Sequence, residues 1–255
     1  MMRVLDVFSG IGGFSLGLER TGGFTTAAFC ELRPFQREIL RKHWPDVEQI
    51  EDIRSINRFH SDVICGGFPC QKFSTASRGR RVAADLWPEM HRIVLINKPR
   101  IVIVENVKPE PIQNAAADLQ SLGYTVTIRR IGADDCGAPH GRSRWWGVAH
   151  PYDESEFQRA IDAEVALLPK LCAGLWGAEA YRSAIRIPHG LPTGVDEPSR
   201  IALGNSVLPQ IPEAIGRAIL SLEHETPQIN PFPTWCVPTK EPPCRTASTC
   251  RDIPC

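Results

Sequence analysis

The stretch that most constrains this chain is Gly66-Gly67-Phe68-Pro69-Cys70-Gln71. Ahead of it, Asp62-Val63-Ile64-Cys65 is a short apolar run with polar flanks, the composition of a buried parallel strand. A glycine pair lets the backbone turn sharply at the strand's carboxyl end, where open α/β sheets gather their chemistry. Pro69 then fixes φ one residue before Cys70, so the thiol rides on a stiff corner. A cysteine presented this way is a candidate nucleophile. A small buried thiol, where most free cysteines end up, is the competing reading of this stretch taken alone. The polar, basic segment from Lys72 to Arg81 follows, placed to fold over a bound ligand.

Other segments repeat the strand-then-turn theme. Arg3 to Phe8 is mostly apolar and reads as a central parallel strand. Ser9-Gly10-Ile11-Gly12-Gly13 turns it into a helix over Phe14 to Arg20, with Phe14, Leu16 and Leu18 at helical spacing. Strand, glycine turn and helix bring bare backbone amides to a helix N-terminus, which suits a nucleotide-like ligand. The spacing is not the dinucleotide G-x-G-x-x-G, and no P-loop lysine follows, so phosphate binding is not the reading. A tight turn needing positive φ explains the glycines equally well. A second strand, Thr25 to Phe29, ends at Cys30-Glu31, and a carboxylate about twenty residues past a glycine turn suits a ribose diol. Pro34 starts a helix through His43, with Phe35, Ile39 and Leu40 on one face. Asp52, ahead of Ile53, either accepts from an adenine amino group or caps a turn.

Leu86 to Lys98 is a helical run with Leu86, Trp87, Met90, Ile93 and Val94 facing inward, broken by Pro99. Ile101 to Val104 is the clearest buried strand, and it ends in Glu105-Asn106-Val107. The shared carboxyl edge of the sheet then puts Glu105 beside Cys70, a thiol and a carboxyl in one crevice. A helix over Ile112 to Leu122 closes on Gly123, and a strand runs from Tyr124 to Ile131. Arg142 and Arg144 precede a strand over Trp145 to Ala149; two residues apart, they point the same way, toward phosphate or base, or are ordinary surface arginines. Asp153 to Leu168 reads as an acidic amphipathic helix, and a Gly- and Pro-punctuated stretch runs on to Pro198. Arg200 to Val207 leads into an apolar helix, Ile211 to Leu222, expected to pack back on the sheet.

Composition enters as a bound. The 255 residues suffice for one large core or a main domain with an appendage, and the net charge of zero neither supports nor excludes nucleic acid. Basic residues do cluster, at Lys72, Arg78, Arg80 and Arg81 and again at Arg129, Arg130, Arg142 and Arg144, although such runs are usually solvated surface. With no signal peptide and no membrane-length apolar run, the expected location is the cytoplasm. There the nine cysteines read as free thiols or ligands. Residues 223–255 are rich in Pro, Thr and Cys and read as a loosely attached or disordered tail. Its Cys236, Cys244, Cys250 and Cys255 lack paired C-x-x-C spacing, so no metal site is expected.

Taken in order, Asp6 to Phe14, Glu31, Asp52, Gly66 to Gln71, Glu105 to Val107, Arg142 to Arg144 and Gly204-Asn205-Ser206-Val207 resemble the DNA cytosine-5 methyltransferase family. The resemblance covers about residues 3–150 and 200–220. It implies an α/β Rossmann-like class I fold with a mixed, mostly parallel sheet and S-adenosylmethionine as cofactor. Phe8, Gly10, Ile11 and Gly13 would line the cofactor pocket, and Glu31 would hold the ribose. Asp52, with Ile53, would hold the adenine; Pro69 and Leu86 would supply wall, and Asn205 and Ser206 closure. Cys70, Glu105, Arg142 and Arg144 would be catalytic, with Cys70 attacking C6 of a flipped-out cytosine. The implied partner is double-stranded DNA, with no membrane; the protein would act as a monomer, and a restriction endonuclease could accompany it.

The implied division is 1–150 catalytic and cofactor-binding, 151–199 a short target-recognition region, 200–222 a returning helix and 223–255 the tail. Three features depart from the family pattern. His140 stands where the family has glutamine, the recognition region is short, with Ile187 to Asp196 in place of its usual closing segment, and the tail has no counterpart. Two alternatives share the fold: a tRNA cytosine-5 methyltransferase, against which Gln71 stands as the DNA-type residue, and a non-catalytic nucleic-acid-binding subunit. A redox or protease cysteine is the weakest, since no histidine is clearly placed to activate Cys70.

Overall fold

The computed structural model describes residues 1–69, 85–138, 141–173 and 197–223. Cys70, the basic segment to Arg81, His140, the Ile187 to Asp196 stretch and the four tail cysteines therefore lie outside the described residues. Strands β1 (Met2–Val7), β2 (Phe24–Cys30), β3 (Glu48–Ile50), β4 (Val63–Gly66), β5 (Ile101–Asn106), β6 (Thr125–Gly132) and β7 (Ser143–His150) form one sheet. Its order is β3-β2-β1-β4-β5-β7-β6. All pairings are parallel except those of β7, which runs antiparallel to both β5 and β6. This is the mixed, mostly parallel sheet expected. The strand order reverses at β1 and β4, so the crevice at their carboxyl ends is where a ligand belongs.

The helices are α1 (Gly13–Arg20), α2 (Pro34–His43), α3 (Trp87–Asn97), α4 (Pro109–Ser121), α5 (Glu154–Leu171), α6 (Glu197–Asn205) and α7 (Gln210–Glu223). They cover both faces, and alternation along each strand divides the core in two. Val4, Ile101, Ile103 and Trp146 face one layer, with Phe14 and Leu18 of α1, Phe157 and Ile161 of α5, and Ile215 and Ile219 of α7. Leu5, Val7, Val102 and Val104 face the other, with Met90 and Ile93 of α3 and Ile112 and Leu119 of α4. At about 1.5–3 kcal/mol for each fully buried aliphatic, these layers dominate the stabilisation. The Phe14 and Trp146 rings meet edge-on at 5.4 Å, fastening α1 over β7.

Several local expectations hold. Helix α2 starts at Pro34 and ends at His43, and Gly123 takes a left-handed φ of 89° just past α4. Others change. Leu16 is exposed while Phe14 and Leu18 are buried, because a helix face follows the i, i+4 pair and leaves the residue between them outside. Leu86 is the residue before α3, and Gln36 rather than Phe35 joins Leu40 in the buried face of α2. Strand β3 and helix α6 were not expected as regular elements. Helix α5 runs on to Leu171 and packs against α7, in the same core as the main sheet.

Candidate active site

The ends of β1 and β2 are stitched together by Ser9. Its hydroxyl donates to the Asp6 carbonyl at 2.6 Å and accepts from the Cys30 amide at 3.1 Å, beside a backbone bond from Ser9 N to the Cys30 carbonyl. The turn beyond is left-handed at Gly10 (φ 56°) and Gly12 (φ 85°), as the positive-φ reading required, and also at Phe8 (φ 55°), where a side chain makes it costly. A Cβ added at Gly12 would lie 2.7 Å from the Trp44 ring, whereas one at Gly10 would meet nothing within 4 Å. Backbone at Gly10 thus faces open space at the sheet's carboxyl edge. Glu31 sits beside it, accepting from the Gly10 amide at 2.8 Å and from the Arg33 amide at 2.9 Å.

Asp6 lies directly beneath. One carboxylate oxygen accepts from the Ser15 hydroxyl at 2.8 Å and the Ser15 amide at 3.3 Å, so the strand supplies the cap that Gly12 lacks for α1. The other oxygen is buried without a partner. Burial pushes the Asp6 pKa up to about 8, and the nearby Glu31 adds to the rise. An orphaned buried acid under an open left-handed turn fits a polar, cationic ligand group. S-adenosylmethionine carries both an amino group and a sulfonium, so the residues present fit it.

The remaining cofactor candidates lie around this turn. Asp52 caps a 3-10 turn at Ile53–Ser55 by accepting from the Arg54 amide at 3.0 Å, so the capping role is realised, and Ile53 is buried beside it. Ser206 and Val207 cover Gly13: a Cβ there would meet Val207 Cγ2 and its carbonyl at 2.9 Å and the Ser206 hydroxyl at 3.1 Å. Asn205 ends α6 and is exposed, and Ile11 is half-buried in the turn. The Pro69 carbonyl accepts from the Leu86 amide at 3.4 Å, so the segment bearing Cys70 leaves and returns at adjacent points.

The two glycines before Cys70 have separate reasons, and neither has positive φ, so they are not there to turn the chain through the left-handed region. A Cβ at Gly66 would collide with the Val7 carbonyl of the neighbouring strand, and one at Gly67 would lie 2.7 Å from Glu105 Oε2. Gly67 therefore makes room for the Glu105 carboxyl at the root of the Cys70 segment. Asn106 secures that root, donating to the Phe68 carbonyl at 3.0 Å. Glu105 is 7% exposed, and Arg144 Nε approaches its Oε1 at 3.0 Å. Burial raises the Glu105 pKa to about 7; Arg144 and, behind it, Arg142 pull the other way without cancelling the rise. The result is a carboxyl poised to hold or release a proton near neutrality.

The two arginines part company. Arg144 lies in β7 and pairs with Glu105, but Arg142 precedes the strand and turns its guanidinium onto the Gly204 and Ser206 carbonyls, at 2.5 and 2.8 Å. Both arginines still act on Glu105, so the difference between them is one of partners, Arg144 on the carboxyl and Arg142 on the backbone carbonyls. Asp6 and Asn106 lie inside the sequence motifs with no role assigned to them there, and Gly67, expected to turn the chain, instead makes room for Glu105. A lone acid inside an otherwise apolar strand is the available signal for Asp6.

Among the described residues, no three His, Cys, Asp or Glu side chains are grouped to hold a metal, and no helix is long and apolar enough to cross a membrane. The four described cysteines, Cys30, Cys65, Cys136 and Cys172, are buried and form no disulfide.

Comparison with known proteins completes the site. The chain is 33% identical over 156 residues to type II methyltransferase M.HgiBI of Herpetosiphon aurantiacus, a match spanning 56% of this chain and 36% of that one. It is 34% identical over 158 residues to type II methyltransferase M2.BsuMI of Bacillus subtilis, spanning 56% and 40%. The chain thus matches well under half of either relative's length. Among solved structures, Entamoeba histolytica methyltransferase EhMeth superimposes with a TM-score of 0.58 at 14% identity, over 88% of this chain and 99% of that one. That likeness identifies the fold as the Rossmann-like class I methyltransferase type. The family model for C-5 cytosine-specific DNA methylase matches residues 2–170. On that match, over a sheet and a carboxyl-edge crevice of the required kind, the chain belongs to the C-5 cytosine-specific DNA methylase family.

Proposed function

We propose that this protein methylates C5 of cytosine in DNA, with Cys70 as nucleophile and S-adenosylmethionine as cofactor. The observation that carries the reading is Glu105: a buried carboxyl with a pKa near 7, paired with Arg144 and lodged against Gly67 at the root of the Cys70 segment. The family's model is a DNA methylase and the relatives are named type II methyltransferases, which favours DNA over the tRNA alternative. S-adenosylmethionine, when bound, supplies an electrophilic methyl group. Gly10 and the orphaned Asp6 oxygen are suited to its methionine end and Glu31 to its ribose, while Asp52 and Ile53 would take the adenine. Asn205 and Ser206 would close the pocket, with Phe8, Ile11, Gly13, Pro69 and Leu86 as wall.

Cytosine C5 is too weak a nucleophile to take a methyl group unaided. The Cys70 thiolate adds to C6, its electron pair forming the S–C6 bond, while the ring electrons move so that C5 becomes nucleophilic. Glu105 gives its proton to N3 as negative charge develops there, and Arg144 holds Glu105 in place and counters that charge. After C5 is methylated, loss of the C5 proton to solvent restores the C5–C6 double bond and expels the Cys70 thiolate, and N3 returns its proton to Glu105. A thiol of ordinary pKa, about 8.5, is only partly ionised at neutral pH, so positive charge or a base near it would have to help. A duplex hides C6, so the base would have to flip out at a cost of about a few kcal/mol, which contacts from the basic Lys72 to Arg81 segment would offset.

The test uses 5-fluorocytosine in a DNA duplex, where fluorine replaces the proton that must leave. A denaturation-resistant protein–DNA complex that needs S-adenosylmethionine and is lost in Cys70→Ser supports the mechanism. Equal trapping by Cys70→Ser overturns it.

A further inference from the structure

We propose that Arg142 is a positioning residue: it clamps the segment joining α6 and α7 onto the glycine turn, tying the Glu105–Arg144 end of the site to the cofactor end. This rests on the methyltransferase reading above and deepens it. One guanidinium nitrogen of Arg142 donates to both the Gly204 and the Ser206 carbonyl, at 2.5 and 2.8 Å, on either side of Asn205 at the end of α6. Carbonyls at a helix C-terminus lack intrahelical partners and carry partial negative charge, so a cation is well placed on them. The other side of the same segment lies on Gly13, the first residue of α1, through Val207 and the Ser206 hydroxyl. Arg142 thus grips the back of a segment whose front covers the glycine turn.

Its partners in sequence and space make the link. Arg144, two residues on in β7, pairs with Glu105. Burial lowers the Arg142 pKa to about 10, with Arg144 contributing and Glu105 opposing, so Arg142 stays charged at neutral pH. Its guanidinium is committed to backbone carbonyls, which separates its work from that of Arg144. Without it, the 204–207 segment is untied from the residues leading into β7, and the competent arrangement over Gly13 is populated for less of the time. Apparent affinity falls by the fraction lost.

The experiment measures S-adenosylmethionine binding to the full chain by calorimetry, with no DNA present, and turnover separately. Arg142→Ala is expected to weaken binding by about tenfold, the scale of one charge-assisted hydrogen bond. Its kcat at saturating cofactor should fall less than that of Arg144→Ala, which should keep cofactor affinity. Arg142→Lys keeps the charge without the planar fork and should recover part of the affinity. Val207→Ala loosens the same segment on Gly13, so its effect and that of Arg142→Ala should be less than additive in the double variant. Unchanged cofactor affinity in Arg142→Ala, or fully additive losses with Val207→Ala, overturns the inference. If Arg142→Ala does not fold, the comparison of Arg142→Lys with wild type decides: a smaller loss in the same direction supports the clamp, and none refutes it. A wild-type chain that binds no S-adenosylmethionine overturns the methyltransferase reading itself, an outcome distinct from a failure at Arg142.

Discussion

Glu105→Gln should change the pH dependence of stability in a way that depends on the burial of one carboxyl. In the folded protein Glu105 holds its proton to about pH 7, against an ordinary value of 4.5. At about 1.4 kcal/mol per pH unit, that difference corresponds to about 3 kcal/mol of stability linked to this one proton. The sign follows from which state binds the proton more tightly. Below pH 4.5 the group is protonated in both states and its full contribution is present. Between pH 4.5 and 7 the unfolded chain ionises while the folded one keeps its proton, so stability falls, and by pH 8 the contribution is gone. Glutamine has no such proton. Urea denaturation of both proteins at intervals from pH 4.5 to 8 should therefore show the variant gaining about 3 kcal/mol on wild type across that range. Any pH-independent offset from the substitution itself drops out of the comparison. Parallel curves would mean that Glu105 ionises at an ordinary pH in the folded protein, and the poised acid would be refuted.

Three further perturbations test separate parts of the site. Gly67→Ala puts a Cβ 2.7 Å from Glu105 Oε2, so the carboxyl must move; turnover should fall by about tenfold or more while calorimetric cofactor affinity is retained. Gly17→Ala drives a Cβ into the Pro209 carbonyl ahead of α7 and Pro212 in its first turn, and urea denaturation should show a loss of about 1–3 kcal/mol with no change in m-value. Asp52→Ala removes the cap on the 3-10 turn and the proposed adenine contact; cofactor binding should weaken by about tenfold, while Cys70→Ser leaves it near wild type.

What could be read from sequence was whatever a single local rule controls. Ile101 to Val104 is apolar without alternation because both faces are covered, and it reads as a buried strand from that alone. Pro34 and Gly123 mark helix ends through fixed or left-handed φ, and both marks held. Strand β3 was illegible because Glu48-Gln49-Ile50 has no strand signature and is extended only by pairing with Ala28 to Cys30 of β2. Helix α6 holds Pro198 near its start and Gly204 near its end, residues that punctuate sequence more often than they sustain a helix. In the site, residue types and order were legible, but the division of labour was not. Gly67 matters because Glu105, thirty-eight positions away in sequence, needs its space, and Arg142 differs from Arg144 because the Gly204 and Ser206 carbonyls, more than sixty positions on, lie within its reach. Such facts exist only once the sheet has assembled.

The measurement that tests the central claim most directly is bisulfite sequencing of DNA from a methylation-free host expressing this chain, beside its Cys70→Ser variant. Cytosines protected in a recurring sequence context by the wild-type chain, and unprotected with Cys70→Ser, are the predicted result. Protection that survives Cys70→Ser would contradict the covalent mechanism, and no protection with either chain would contradict the assignment of DNA cytosine as the substrate.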